Sequence, residues 1–311
     1  MISGIQKITT VVLITLLIVL LTQCSWVKQP LIRSEVSSEI TEVLIKPSAT
    51  DSLITTTDVA HLIMYDSQIK RSKLLLFLPG TNGVPDRGPK ELFEFAIQQG
   101  YKVINLSYIN QPAVARICKG DNLDKDINCT EKFRTQRVFG TQLTSLIPDE
   151  PQDGIINRFT KLLLYLKEND KKGNWDLYLN GNTPNWDIIT VAGQSQGGGM
   201  AAFIAKKKRV NRIITFSGGW DFSKDNEIAQ WYSSKSITPE NRWFGIYHSK
   251  EPRAETIAKT YKAMAIPEKH IFPLDLEIRE GKKAHGEGIR NIAYKEAWAR
   301  LFEKGTIHNS K

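Results

Sequence analysis

The chain has 311 residues, 41% of them hydrophobic, and a formal net charge of +9. That length and apolar share suit one large α/β domain or two small ones with a sizeable core. The basic balance comes without an Arg-rich arm or a basic-aromatic interleave, which argues against a nucleic-acid partner, and three cysteines with no C-x-x-C pair or Cys/His cluster argue against zinc.

Taken in order, the chain opens on a segment that does not read as part of a fold. Lys7 precedes an apolar run, 8–21, which ends at Thr22-Gln23-Cys24. The run has the form of a secretory signal and falls short of the ~20 residues of a membrane span. A cysteine directly after it resembles a bacterial lipoprotein signal, with Cys24 as the lipidated residue. Gln23 departs from that pattern, which usually has a small residue before the cysteine. The expected organisation is a signal over 1–24, a tether over 25–36 and a single domain from 37 to 311. The expected location is the cell envelope, lipid-anchored to a membrane, with soluble secretion and an uncleaved anchor as alternatives. A basic surface also suits an anionic membrane face.

Segments 39–45 and 61–65 read as strands, placed as an antiparallel start to a sheet. Segment 73–78 is continuously apolar, the pattern of a strand buried on both faces. It ends in the backbone-rich loop Pro79-Gly80-Thr81-Asn82-Gly83. A helix over 90–99 closes at Gly100, and a strand follows over 101–108. Segment 109–151 is a long polar insertion, of a length that is usually functional. It carries Cys118 and Cys129, which in an oxidising compartment are placed to pair and close a short loop. Asp121, Asp124 and Asp126 lack the Gly and terminal Glu of a calcium loop and read as solvated turn residues. Apolar residues at helical spacing predict a helix over 153–169.

The next stretch organises the rest. Ile188 to Val191 is a β-branched strand, Gly193-Gln194-Ser195-Gln196-Gly197 is a very tight turn, and 198–205 is a small-residue helix. G-x-S-x-G between strand and helix is the form of a nucleophile elbow. The glycines are needed where a Cβ would strike the neighbouring strand or helix. The basic run Lys206 to Arg209 complements the dipole at the helix end and reads as solvated. Further strands are expected over 212–217, 243–248 and 270–276, with a polar excursion at 222–241. Helices are expected over 255–264 and 291–303, and 281–286 reads as a loop. Strand and helix alternate, which predicts a mostly parallel sheet covered on both faces. Ligands then bind outside the carboxyl ends of the strands, where Ser195, Asp221, Glu251 and His285 all fall.

On these residues the chain resembles the α/β-hydrolase superfamily over roughly 38–305. The resemblance rests on the Ser195 pentapeptide, on the strand-ending Leu78-Pro-Gly-Thr-Asn-Gly83, on Glu251-Pro252 after a late strand, and on His285 after the last strand. The order nucleophile, acid, histidine is that of the fold. It implies an α/β-hydrolase fold and a serine hydrolase working without a cofactor or metal. Ser195 needs a base, and His285 is the histidine placed to act as one. Glu251 is the first choice for the acid that orients it and Asp221 the rival, with Asp225 and Asp275 behind. The resemblance implies an oxyanion hole from the N–H groups of Gln196 and Thr81, the latter preferred over Asn82. His61, His248, His270 and His308 read as structural or solvated. Trp220, Trp231, Tyr232 and Tyr247 are candidates for a pocket wall or for core packing.

The expected activity is cleavage of a carboxylic ester, small or polymeric, through an acyl-enzyme. The alternatives are a peptidase or amidase using the same residues, and a non-catalytic surface protein of the same fold. The oligomeric state is not legible.

Overall fold

Eight strands form one sheet: β1 Ile40–Ile45, β2 His61–Asp66, β3 Leu74–Leu78, β4 Lys102–Asn105, β5 Ile189–Gln194, β6 Arg212–Phe216, β7 Trp243–His248 and β8 Ile271–Leu274. Their spatial order is β1-β2-β4-β3-β5-β6-β7-β8. β2 runs antiparallel to both β1 and β4, and the strands from β4 through β8 are mutually parallel. That is the α/β-hydrolase fold. The coordinates are a computed structural model, and they describe residues 40–305 apart from 225 and 226. The signal, the tether and Cys24 lie outside the described residues. Among the described residues, no helix is long and apolar enough to cross a membrane.

The strands are apolar on both faces because both are covered. Along β3, Leu74, Leu76 and Leu78 point into one core, and Leu75 and Phe77 into the other, as the two-residue period of a strand requires. The first core is closed by helices α2 (Cys129–Phe139), α3 (Ile155–Asn169), α4 (Gln196–Lys207) and α5 (Ala254–Ala263). The second is closed by α1 (Lys90–Gln98), α6 (Ala284–Arg290) and α7 (Lys295–Leu301). Burying a large apolar side chain of this kind stabilises by about 1.5–3 kcal/mol.

Three expectations need correction. Segment 109–151 is not simply a polar loop. It contains α2 and the short helical turns Val114–Ile117 and Asp121–Lys125. Its polarity misled because two of its arginines are buried as ion pairs. Arg137 meets Asp149 at 2.7 and 2.9 Å and the Pro112 carbonyl at 2.8 Å, and Arg134 meets Asp221. Secondly, the helix end at 206–209 is not wholly solvated. Lys206 is buried, donates to the Ser234 carbonyl at 2.6 Å, and lies over the Trp243 ring. Burial pushes its pKa down to about 8. Thirdly, 281–286 is not all loop, since α6 begins at Ala284.

Cys118 and Cys129 form a disulfide with Cα atoms 5.6 Å apart. Closing a loop of this length stabilises by roughly 2–3 kcal/mol in the chain-entropy account. The bridge ties the turn Val114–Ile117 to the start of α2, and both elements border the cavity described next.

Candidate active site

Ser195 sits between β5 and α4 at φ 57° and ψ −122°. A non-glycine residue at positive φ is strained, and such strain collects at functional sites. The turn is held by its surroundings. The Ser195 N–H donates to the Phe216 carbonyl at 2.9 Å, and the Ser195 carbonyl accepts from Gly199 at 3.1 Å. Both elbow glycines are forced by close approach. A Cβ on Gly193 would lie 2.4 Å from the Gly197 backbone, and one on Gly197 would lie 2.0 Å from the Leu78 carbonyl oxygen.

Glu251 follows β7 in the turn that leads to α5, and its side chain is buried. One carboxylate oxygen, Oε1, accepts from Ser217 Oγ at 2.6 Å and from the His248 N–H at 2.8 Å. The other, Oε2, lies 2.6 Å from His285 Nδ1. Burial acts to raise the Glu251 pKa, but the hydrogen bonds from His285, Ser217 and His248 outweigh it. The net pKa falls below the ordinary 4.5, so the group is a carboxylate at neutral pH. A carboxylate only accepts, so Nδ1 is the protonated nitrogen of neutral His285 and Nε2 keeps its lone pair, a tautomer assigned from the hydrogen-bond network.

His285 stands in the first turn of α6, with its carbonyl accepting from Gln194 Nε2 at 3.1 Å. Gln194 adjoins Ser195, so this bond fixes the helix that bears the histidine against the elbow. Trp220 bridges the two from the side: its ring centroid is 5.5 Å from that of His285, and it borders the same cavity as Ser195. Among the described residues, neither Ser195 Oγ nor His285 Nε2 carries a hydrogen bond. Catalytic hydrogen bonds often tighten only when substrate is bound.

The structure separates the two acids considered for the histidine. Asp221 lies after β6, but its carboxylate is taken by Arg134 and Trp231, and His285 Nδ1 meets Glu251 instead. The Asp221 carboxylate accepts from Arg134 Nε at 2.5 Å, Arg134 Nη2 at 2.7 Å and Trp231 Nε1 at 3.0 Å.

A cavity of about 50 Å³ opens beside the elbow, bordered by Ser195, Gln196, Thr81, Val114, Arg134 and Trp220 among others. Gln196 is the first residue of α4, so its N–H has no intrahelical acceptor. The loop after β3 presses on the elbow: a Cβ on Gly80 would lie 3.1 Å from Ser195 Cβ. Thr81 and Gln196 both border the cavity beside the serine. Trp231 and Tyr232 are core residues, and Tyr247 packs edge-on against Tyr261. Among the described residues, no group of His, Cys, Asp and Glu side chains is arranged to hold a metal.

Several positioning residues escaped the reading of the sequence. Ser217 and His248 fix Glu251. His248 also accepts from the Lys250 N–H at its Nδ1 (3.1 Å), so its Nε2 donates to the Leu276 carbonyl at 2.9 Å. This anchors the chain leaving β8 on its way to His285. The Gln196 side chain accepts from the Val114 N–H at 2.9 Å and donates to the Asn110 carbonyl at 2.8 Å, fastening the cavity wall to the elbow. The signals available were the strand-end placements of Ser217 and His248, which are also where many inert polar residues fall.

No protein-family model matches the chain, and no curated protein matches it. Similar solved structures do exist. An α/β hydrolase enzyme, MGS-M1, from a Medee basin deep-sea metagenome library is 14% identical, with 85% of this chain and 97% of that one covered and a TM-score of 0.46. S-formylglutathione hydrolase (FrmB) from Staphylococcus aureus is 11% identical, with 85% and 97% covered and a TM-score of 0.47. Esterase 2 of Thermogutta terrifontis is 11% identical, with 83% and 90% covered and a TM-score of 0.45. At these identities the likeness lies in the path of the chain, and the chemistry has to be read from the site itself.

Proposed function

We propose that this protein is a serine hydrolase that cleaves a carboxylic ester through an acyl-enzyme. The observation that carries the reading is the 2.6 Å contact between Glu251 Oε2 and His285 Nδ1, made at the strand edge where Ser195 sits in a strained elbow. Glu251 holds the imidazole with Nε2 unprotonated. Ser195 Oγ attacks the ester carbonyl carbon, and His285 Nε2 takes the hydroxyl proton. The carbonyl oxygen becomes an oxyanion that accepts from the Gln196 and Thr81 N–H groups. Each such fixed donor contributes about 3–4 kcal/mol to the transition state. The intermediate collapses, the C–O bond to the alcohol breaks, and the alkoxide leaves with the proton from His285. Water then repeats the sequence and releases the acid, restoring Ser195.

A fluorophosphonate probe should label the wild type and spare Ser195→Ala. The same variant should turn over p-nitrophenyl acetate about 10⁴-fold or more slowly than wild type. Absence of both labelling and turnover in the wild type would remove the hydrolase reading.

For location, we infer export and anchoring by a lipid on Cys24, supported by the apolar run 8–21 directly before it. Cys24→Ala should move the protein from the membrane fraction to the soluble one after cell disruption. An unchanged distribution would count against a lipid anchor.

A further inference from the structure

The cavity that Ser195 borders is small, about 50 Å³. Thr81 and Gln196 border it too, so the carbonyl oxygen of a bound ester points into it and the acyl carbon stands at its mouth. The alcohol oxygen is the atom that takes the proton from His285 Nε2, which leaves the cavity to the acyl chain. At roughly 10–15 Å³ per water-sized occupant, there is room for about three to five non-hydrogen atoms, and the carbonyl oxygen is one of them. Ala113, Val114, Ala115 and Trp220 give the cavity an apolar wall. Arg134 also borders it but offers it no donor. Its Nε and Nη2 are held by Asp221. Its Nη1 is buried against α4, where a Cβ on Gly199 would lie 2.8 Å away.

A second cavity of about 370 Å³ adjoins the first. Cys118, Leu123 and Phe222 border it, with the exposed Lys119, Asp124 and Arg253 at its rim. Ala115, Trp220 and Asp221 border both cavities and so stand between them. Of the three, Ala115 has only a methyl group, and the Asp221 side chain is turned to Arg134 and Trp231. Trp220 is the large one, and it is only half-buried. Its indole is the bulk that keeps the two volumes apart.

Resting on the hydrolase reading above, we propose that Trp220 is a specificity-determining residue that closes the acyl cavity off from the larger volume beyond it. The substrates are then esters of short aliphatic acids, of up to about five carbons, rather than of long fatty acids. A longer acyl chain has to turn back into water, where its extra methylenes gain no burial.

The test compares kcat/KM on p-nitrophenyl butanoate and p-nitrophenyl octanoate, each kept below the concentration at which it aggregates. Each methylene that becomes buried raises kcat/KM by about fourfold. The wild type should hydrolyse octanoate no better than butanoate, at an octanoate-to-butanoate ratio of about one or less. In Trp220→Ala the two cavities merge, and the ratio should rise by about tenfold or more as the added methylenes find cover. The Trp220 ring also lies beside His285, so the variant is expected to lose rate on both esters alike, and the ratio is free of that loss. Trp220→Leu should move the ratio in the same direction and serves if the alanine variant fails to fold. A wild-type ratio above about threefold, or a ratio unchanged in the folded variants, would each overturn the proposal. The wild-type ratio decides even if neither variant folds. If Ser195 takes the probe and octanoate is the better substrate, only this inference falls. If no ester is turned over and Ser195 is not labelled, the hydrolase reading falls with it.

Discussion

Glu251→Gln is expected to lower kcat by about 10³–10⁴-fold while leaving the protein folded. The direction follows from the two donors at Oε1. Ser217 Oγ and the His248 N–H both give hydrogen bonds to that atom. The amide oxygen of glutamine must therefore take the Oε1 position, which turns its NH₂ group toward His285 Nδ1. An imidazole facing a donor presents its lone pair at Nδ1 and carries its proton on Nε2. It then cannot accept the Ser195 proton. The measurement is kcat on p-nitrophenyl acetate, with the rate of fluorophosphonate labelling as a second reading. A variant within about tenfold of wild type would remove Glu251 from the proposed role. The same carboxylate links activity to acid stability. Its folded pKa is depressed, so its contribution to stability is fully present above the ordinary 4.5 and is lost as pH falls through the lower folded value. Unfolding followed by urea titration should show the wild type losing this contribution below pH 4.5 and Glu251→Gln lacking it.

Asp221→Ala should show the reverse signature, a large loss of stability. Arg134 is fully buried. The nearby Asp221 charge and their paired hydrogen bonds raise its pKa in the face of a desolvation cost that acts to lower it. Removing Asp221 leaves a buried guanidinium without its counter-ion. Breaking one side of such a pair costs about 3–5 kcal/mol, and Trp231 Nε1 loses its acceptor as well. The readout is the urea midpoint at constant m-value. A loss below about 1 kcal/mol would mean that water reaches Arg134 and that the pair behaves as a surface one. Two acids that look interchangeable in the sequence thus separate by experiment: one variant loses rate and keeps its fold, the other loses stability.

The pentapeptide around Ser195 was legible because its constraints are local. A tight strand-to-helix turn needs small residues at 193 and 197, and the neighbours that a Cβ would strike are the turn's own backbone and the adjacent strand end. Strand placements were legible to within a few residues for a similar reason, since a strand buried on both faces is continuously apolar, as at 74–78. Helix starts were less so. The short helix α6 carries Gly286 and Gly288, which local propensity assigns to a loop, yet Ile289 and Ala284 are buried and tertiary packing prevails.

What the sequence determined by itself was the fold class and the small set of residues gathered at the strand ends. Both follow from the alternation of strand and helix, which sends every parallel strand's carboxyl end to one edge. What only the tertiary structure decided was which acid meets His285 and what lies beside Ser195. Glu251 and Asp221 each follow a strand, and only the Pro252 after Glu251, read through the resemblance, ranks one above the other. The choice is made by Arg134, 87 residues from Asp221 in sequence, which neutralises one carboxylate, while Ser217 and His248 aim the other. In the sequence Arg134 is one of many charges in a polar insertion, with nothing to single it out. Its burial depends on a partner, a disulfide-tied wall and a glycine on another helix, and contacts between segments so far apart leave no pattern along the chain.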